Sequence, residues 1–168
     1  MLALLMVVGV TVWSSGPANA AIYWYGITLD DQMTGRCATA DVSNYSVDME
    51  DCHDRPSQKW DLVSSAPDAG GHAYVEIRPS GINECLTTLG AGTGPLANSS
   101  RVVLSLCYGG PNQIWAMSTA YPPQYNQHYI QFFSFGDRVC LDGGIGLYGY
   151  REEGCVPGNW YQLWNIMH

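Results

Sequence analysis

The sequence predicts an all-β protein with one folded domain, and three observations support this. Charged residues make up only 13% of the 168 residues and hydrophobic residues 46%, which argues against disorder and against long surface helices. Glycine and proline are frequent, with 19 and 9 copies, as expected for short strands joined by turns. A pattern of cysteine and tryptophan recurs three times, so the chain contains an internal repeat.

The first 20 residues are typical of a secretory signal peptide. An apolar run extends to Trp13, and Ala18-Asn19-Ala20 forms a small-x-small cleavage site, although no basic residue precedes Arg36. A membrane anchor is the alternative, but the run of about 13 apolar residues is short for a bilayer core that needs about 20. We expect export, cleavage after Ala20 and a single mature domain over residues 21–168.

The repeat unit ends in a Gln-x-Trp motif, found in SQKWDL, NQIWAM and YQLWNI at residues 57–62, 112–117 and 161–166. A pair of cysteines precedes each motif, and the second cysteine stands eight, eight and nine residues before the tryptophan. The pairs are Cys37 with Cys52, Cys85 with Cys107, and Cys140 with Cys155; the motifs contain Gln58 and Trp60, Gln113 and Trp115, and Gln162 and Trp164. This regularity predicts three copies of one structural unit.

Each unit begins with an alternating apolar segment, passes through a turn and reaches its first cysteine in a second strand. The three segments are ITLDDQMTGRC, VEIRPSGINEC and IQFFSFGDRVC. Alternation with a period of two is the signature of a half-buried strand. Each unit is therefore predicted to be a small set of strands that ends in a buried tryptophan.

The six cysteines allow 15 pairings, and the repeat favours the pairing within each unit. Such bridges suit an exported protein, and each is expected to add on the order of 3 kcal/mol by the chain-entropy model. A metal site is the competing interpretation. However, the sequence has no C-x-x-C pair, and its four histidines are scattered. We expect no metal and no cofactor.

Three copies of Cys…Cys…Q-x-W resemble the ricin B-type lectin family over nearly the whole mature chain, from about Tyr25 to Met167. The resemblance implies a β-trefoil: a six-stranded barrel capped by three hairpins, with pseudo-threefold symmetry. Each tryptophan would then fill the shared core, and truncating one to alanine is expected to cost about 3–5 kcal/mol. The glutamine would satisfy polar groups near that core.

The resemblance also implies sugar sites for galactose-like ligands. The family pattern has an Asp two residues after the first cysteine, an aromatic residue shortly before the second, and an Asn beside the Q-x-W glutamine. In the third repeat, Asp142 takes the acid position, Tyr148 and Tyr150 precede Cys155, and Tyr161 replaces the expected Asn with Asn159 nearby. Gln162 completes this candidate site.

The other two repeats match this pattern less well. The second repeat has Asn112 and Gln113 in place but Thr87 at the acid position. The first has Thr39 at the acid position and Ser57 where the Asn belongs. We expect weak or lost sugar binding in both.

Each site residue also has a structural interpretation. Asp142 precedes two glycines and suits a turn, and Tyr148 and Tyr150 would share one face of a strand. These interpretations remain open beside the binding hypothesis.

The function expected from the sequence is a secreted, non-enzymatic lectin module whose partners are glycans or glycoproteins. A net charge of −8 argues against nucleic acid, and no nucleophile-elbow or phosphate-binding motif points to catalysis. The signal peptide implies an extracellular protein without membrane insertion. The alternative is a protein-binding β-trefoil, such as an inhibitor, toxin subunit or effector, whose sugar sites have decayed.

Overall fold

The computed structural model describes residues 22–65, 73–91, 99–120, 129–144, 146–151, 155 and 158–167. The predicted signal peptide lies outside these residues. The described chain is all-β, as predicted, and has twelve strands: β1 Ile22–Asp31, β2 Arg36–Asp41, β3 Ser46–Asp51, β4 Trp60–Ser64, β5 Ala73–Pro79, β6 Glu84–Ala91, β7 Ser99–Leu106, β8 Trp115–Ala120, β9 Tyr129–Ser134, β10 Val139–Asp142, β11 Tyr148–Arg151 and β12 Trp164–Met167. Within this part of the chain no helix has the length and apolarity to cross a bilayer.

Six of the strands form a closed antiparallel barrel. The ladder runs from β1 to β4, β5, β8, β9 and β12, and β12 pairs again with β1. The remaining strands form three hairpins, β2–β3, β6–β7 and β10–β11. Two of these hairpins also join through β7 and β11, so that the hairpins together cap the barrel. Closure removes the exposed sheet edges that an open sheet of this size would have.

The three motif tryptophans occupy equivalent places in the core. Trp60, Trp115 and Trp164 are each 0% exposed. Each indole Nε1 donates a hydrogen bond to the carbonyl oxygen of the residue after the first cysteine of its repeat, at 2.9, 3.0 and 3.2 Å. The indole therefore buries its apolar ring without losing the bond of its N–H group.

Three disulfides tie each hairpin to itself, in the pairing that the repeat predicts. They join Cys37 to Cys52, Cys85 to Cys107 and Cys140 to Cys155, with Cα–Cα distances of 5.0, 5.0 and 5.5 Å. A short 3₁₀ turn after each second cysteine carries the motif glutamine, at Pro56–Gln58, Pro111–Gln113 and Trp160–Gln162. This turn delivers the chain to the barrel strand that begins at the tryptophan.

Candidate functional site

The carboxylate of Asp142 lies at the end of β10, where only 6% of the residue is exposed. Its Oδ1 accepts from the Gly144 backbone N–H at 3.0 Å. Its Oδ2 accepts from the side-chain amides of Gln162 at 3.2 Å and Asn159 at 3.4 Å. A carboxylate has about four acceptor positions. Among the described residues, one position on Oδ1 is left without a donor.

Local backbone structure explains why the third repeat can hold a carboxylate here. Strand β10 has four residues and ends at Asp142, whereas β6 of the second repeat runs for eight. After Asp142 the chain turns away, and the Gly143 N–H donates to the carbonyl of Tyr161 at 2.8 Å. The Gly144 N–H is then available to Asp142. The end of the strand therefore supplies the donor that the buried carboxylate needs.

Asn159 has two roles in the same region. The other two repeats begin their 3₁₀ turn with Pro56 and Pro111, whose fixed φ suits the first helical position. The third repeat begins with Trp160, and here Asn159 caps the turn by accepting from the Tyr161 N–H at 3.3 Å. Its amide nitrogen remains free to donate to Asp142, so the longer third repeat brings Asn159 into the site.

Tyr161 supplies an aromatic surface that the sequence pattern did not reveal. It is 38% exposed, and a Cβ built on Gly144 would lie 3.5 Å from its ring carbon Cδ1. The ring therefore stands beside the residue whose N–H binds Asp142. In the sequence this tyrosine counted as the loss of an expected Asn. Its place in the same turn as Gln162 was the signal that could have identified it.

A second carboxylate, Asp31 at the end of β1, lies directly behind Gly143. It is 0% exposed, and its Oδ1 accepts from the backbone N–H and the hydroxyl of Thr34, both at 2.8 Å. Its Oδ2 has no hydrogen-bond partner within the described residues. Burial raises the pKa of Asp31 above its usual value, and the Thr34 hydrogen bonds oppose this only in part.

Asp142 experiences the same environment. Burial raises the pKa of Asp142, the hydrogen bonds from Gly144, Gln162 and Asn159 lower it, and the nearby charge of Asp31 raises it further. The net pKa lies above the usual value of 3.8. Proton binding at this site therefore begins at a higher pH than at an ordinary surface aspartate.

The two tyrosines predicted for the site have different positions. Tyr148 pairs with Asp142 across the β10–β11 ladder, but its ring lies over Gly146, where an added Cβ would meet Cε2 at 2.9 Å. It lines a separate cavity between the hairpins. Tyr150 pairs with Cys140 through the backbone, and its side chain lies outside the described part of the chain.

The motif glutamines are buried supports, each 0% exposed. Gln58 donates to the Thr39 hydroxyl at 2.9 Å and Gln113 to the Thr87 hydroxyl at 3.0 Å, just as Gln162 donates to Asp142. Gln113 and Gln162, which the sequence assigned to sugar binding, therefore present no amide to solvent. Their contribution is to hold the residue two positions after the first cysteine.

Among its described residues, the second repeat has no carboxylate equivalent to Asp142. Thr87 donates its hydroxyl to the Cys85 carbonyl at 2.8 Å. Both ends of the Asn112 amide are engaged, with Nδ2 donating to the Thr88 carbonyl at 3.1 Å and Oδ1 accepting from the Tyr108 hydroxyl at 2.7 Å. The predicted Asn112 therefore braces the turn in this structure.

The first repeat uses its nearby acid in a hairpin turn. Asp41 accepts from the Ser43 N–H and hydroxyl and from the Asn44 amide. These side-chain hydrogen bonds, Ser43 first, lower the pKa of Asp41. Its carboxylate is thus committed to the β2–β3 connection.

In the described part of the chain, two groups of three residues bring potential metal ligands together. They are Asp30 with Cys37 and Cys52, and Glu76 with Cys85 and Cys107. In each group both sulfurs belong to a disulfide, so neither can act as a thiolate ligand. A single carboxylate remains, and neither group has the donor set of a metal site.

Comparisons with known proteins identify the fold. No protein-family model matches the sequence, and no curated protein matches it. Among solved structures, the designed threefold-symmetric protein ThreeFoil is similar with a TM-score of 0.59 and 19% identity, covering 84% of this chain and 97% of that one. SeviL, solved bound to asialo-GM1 saccharide, gives 0.58 and 12%, covering 86% and 98%. The Haemophilus ducreyi cytolethal distending toxin gives 0.57 and 15%, covering 95% and 92%.

These similarities show that the chain has the β-trefoil fold, the architecture that the resemblance to ricin B-type lectins implies. The neighbours include a protein bound to a saccharide and a toxin. At such low identity they do not assign a ligand to this chain.

Proposed function

We propose that the protein is a secreted, non-enzymatic lectin that binds a galactose-like sugar through its third repeat. The observation that carries this proposal is the Asp142 carboxylate, held with a free acceptor position beside the exposed ring of Tyr161. Fixed acceptors next to an aromatic face are the combination that a neutral polyol requires.

In this proposal the site recognises the two faces of one sugar ring. Sugar hydroxyls donate to Oδ1 of Asp142, and the C–H face of the ring packs on Tyr161, where many small dispersion contacts add up. Asn159 and Gln162 hold the carboxylate in place from the opposite side. A single shallow site of this kind is expected to bind with about millimolar affinity, near −4 kcal/mol.

Secretion and the absence of catalysis are parts of the same proposal. Three disulfides in a chain of this size are typical of an oxidising compartment. Among the described residues, the proposed site offers the ligand one carboxyl group, that of Asp142, whereas sugar hydrolysis generally uses two flanking carboxyl groups. The partners would then be glycans or glycoproteins outside the cell.

The test replaces Asp142 with the residue that the other repeats use. Asp142→Thr removes the carboxylate but keeps a hydroxyl for Gln162, as Thr39 and Thr87 do for Gln58 and Gln113. We expect the thermal midpoint to stay within a few degrees and galactose binding, measured by NMR titration of the oxidised mature protein, to fall at least tenfold. The control is Asp51→Thr, which removes an exposed carboxylate from β3 and should leave binding unchanged.

A second candidate function, a protein-binding β-trefoil, is favoured by one observation. Only the third repeat retains a carboxylate at the acid position, since Thr39 and Thr87 occupy it elsewhere. The toxin among the structural neighbours has the same fold. If the wild-type protein binds no glycan at high density on an array, the lectin proposal is wrong and the second function takes its place. If Asp142→Thr binds galactose as well as wild type, the assignment of the sugar to the third repeat is wrong.

A further inference from the structure

A cavity of about 180 Å³ opens where the three hairpins of the cap meet. It is lined by three consecutive residues from each repeat: Ser46, Val47 and Asp48 of β3, Arg101, Val102 and Val103 of β7, and Gly146, Leu147 and Tyr148 at the start of β11. Because equivalent residues of all three repeats line it, the cavity lies on the pseudo-threefold axis. It is distinct from the candidate sugar sites, which belong to single repeats.

The floor of this axial cavity is apolar and symmetric. The floor consists of Val47, Val102 and Leu147, which are 5%, 5% and 4% exposed and lie at the top of the core. They occupy matching positions, opposite Ala40 and Thr88 in the first two hairpins and following Gly146 in the third. The floor therefore follows from the packing that the repeat requires.

The walls of the cavity differ from one repeat to the next. The residues that flank the floor are Ser46 and Asp48 in the first repeat, Arg101 and Val103 in the second, and Gly146 and Tyr148 in the third. Symmetric packing alone does not require these differences. They place one anionic, one cationic and one aromatic side chain around a single opening.

Arg101 differs from the other cations whose side chains the structure describes. Four other cations each pair with a carboxylate: Arg36, Arg55, Lys59 and Arg78. Among the described residues, the Arg101 guanidinium has no ion pair and no side-chain hydrogen bond. Within the described part of the chain, the Asp48 carboxylate and the Tyr148 hydroxyl also have no ion pair and no side-chain hydrogen bond. Three polar groups thus surround the cavity with their bonding capacity available.

Tyr148 and Arg101 are held next to each other. They are direct partners in the β7–β11 ladder, so both side chains project from the same face of the sheet. The lack of a side chain at Gly146 leaves space for the Tyr148 ring, since an added Cβ would lie 2.9 Å from it. A ring face beside a guanidinium is thereby presented at the cavity mouth.

We propose that this axial cavity binds an acidic monosaccharide, a pyranose that carries a carboxylate. The Arg101 guanidinium pairs with the carboxylate in two parallel hydrogen bonds, the Asp48 carboxylate accepts from ring hydroxyls, and Tyr148 with Val103 packs on the C–H face. The cavity is smaller than the roughly 300–1,000 Å³ of pockets that enclose drug-sized ligands, which suits one ring. The proposal does not depend on the third-repeat site.

The experiment compares galacturonate with galactose, two sugars that differ at the carboxylate. NMR titration of the oxidised mature protein should show galacturonate shifting the resonances of β3, β7 and β11, and galactose leaving those of β3 and β7 unchanged. Arg101→Gln should weaken galacturonate binding at least tenfold. Arg36→Gln, which removes another exposed guanidinium from the far end of the β2–β3 hairpin, should not weaken it.

Three variants separate this site from the third-repeat site and test which part of Tyr148 contacts the ligand. Asp142→Thr should leave galacturonate binding intact, whatever it does to galactose. Tyr148→Ala should weaken galacturonate binding, whereas Tyr148→Phe, which keeps the ring face, should retain most of it. The proposal is wrong if Arg101→Gln binds galacturonate as tightly as wild type with an unchanged thermal midpoint, or if the shifted resonances surround Asp142 instead.

Discussion

At the scale of single residues, the motif glutamine of each repeat is a fully buried, hydrogen-bonded polar group. The two N–H donors of Gln113 are shared among the Thr87 hydroxyl, the Ser105 hydroxyl and the Leu106 carbonyl, whose oxygens lie 2.9–3.0 Å from Nε2, and its oxygen accepts from the Tyr108 N–H. Its side chain thus holds the 3₁₀ turn against the hairpin. A buried amide with every partner present is stabilising mainly because its loss leaves those partners unpaired.

We therefore predict that Gln113→Ala destabilises the protein by about 2–3 kcal/mol, because backbone groups of Leu106 and Tyr108 lose their partners. Urea denaturation should show a lower midpoint with an unchanged slope. Gln32→Ala is the control, since the Gln32 side chain makes no hydrogen bond within the described residues, and it should change stability by less than about 0.5 kcal/mol. Equal losses in both variants would contradict the structural role of Gln113.

At the scale of elements, neighbouring repeats meet at three equivalent interfaces, and the residues at these interfaces differ. Each motif tryptophan pairs with a residue on the neighbouring barrel strand: Trp164 with Asp31, Trp60 with Pro79, and Trp115 with Ser134. In one interface Ser134 faces Thr88, with hydroxyl oxygens 3.4 Å apart. In another Asp31 faces Gly143, where an added Cβ would lie 2.9 Å from the Asp31 Cβ and 3.0 Å from its Cγ and Oδ2. The larger acid thus requires the smaller partner.

This contact predicts a coupled pair of substitutions. Gly143→Ala should destabilise the protein by about 1–3 kcal/mol, because Asp31 is buried and anchored to Thr34 and can move little. Adding Asp31→Gly, which removes the Cβ, Cγ and Oδ2 atoms that the new methyl would meet, should make Gly143→Ala much less destabilising than it is in the wild-type background. A double-mutant cycle on denaturation free energies measures the coupling. Strictly additive effects would show that the two residues do not constrain each other.

At the scale of the whole molecule, the repeat made the fold predictable and left the site only partly so. Spacing within one repeat determines which cysteines pair and which tryptophans enter the core, and the barrel follows from three such units. Asp142 was recognisable because its position is defined within the repeat. Asp31 and Arg101 make their contacts with residues of other repeats. Spacing along the sequence does not show how close two strands from different repeats lie, so these contacts could not be predicted.

The two buried carboxylates, Asp31 and Asp142, link folding to pH, and Asp142 links the proposed sugar binding to pH as well. Their pKa values in the folded protein lie above the usual 3.8, so the folded state binds more protons than the unfolded state just above that pH. The free energy of unfolding therefore falls as pH rises through this window. The loss is about 1.4 kcal/mol for each tenfold difference in proton affinity between the folded and unfolded states. Asp41 and Asp54 have lowered pKa values in the folded protein. Their contribution to stability is therefore present near neutral pH and is lost only as pH falls below about 3.8.

We accordingly predict that stability and sugar affinity change in opposite directions on acidification from pH 7 toward pH 4.5. The free energy of unfolding should rise because Asp31 and Asp142 take up protons, whereas galactose affinity should fall because protonated Asp142 loses acceptor capacity. Asp31→Asn should flatten the stability profile, because the proton uptake of Asp31 is removed, while the decline in affinity remains. Urea denaturation and sugar titration across this range test both parts. A wild-type stability that decreases steadily from pH 7 to pH 4.5 would show that the burial of these carboxylates does not control the pH response.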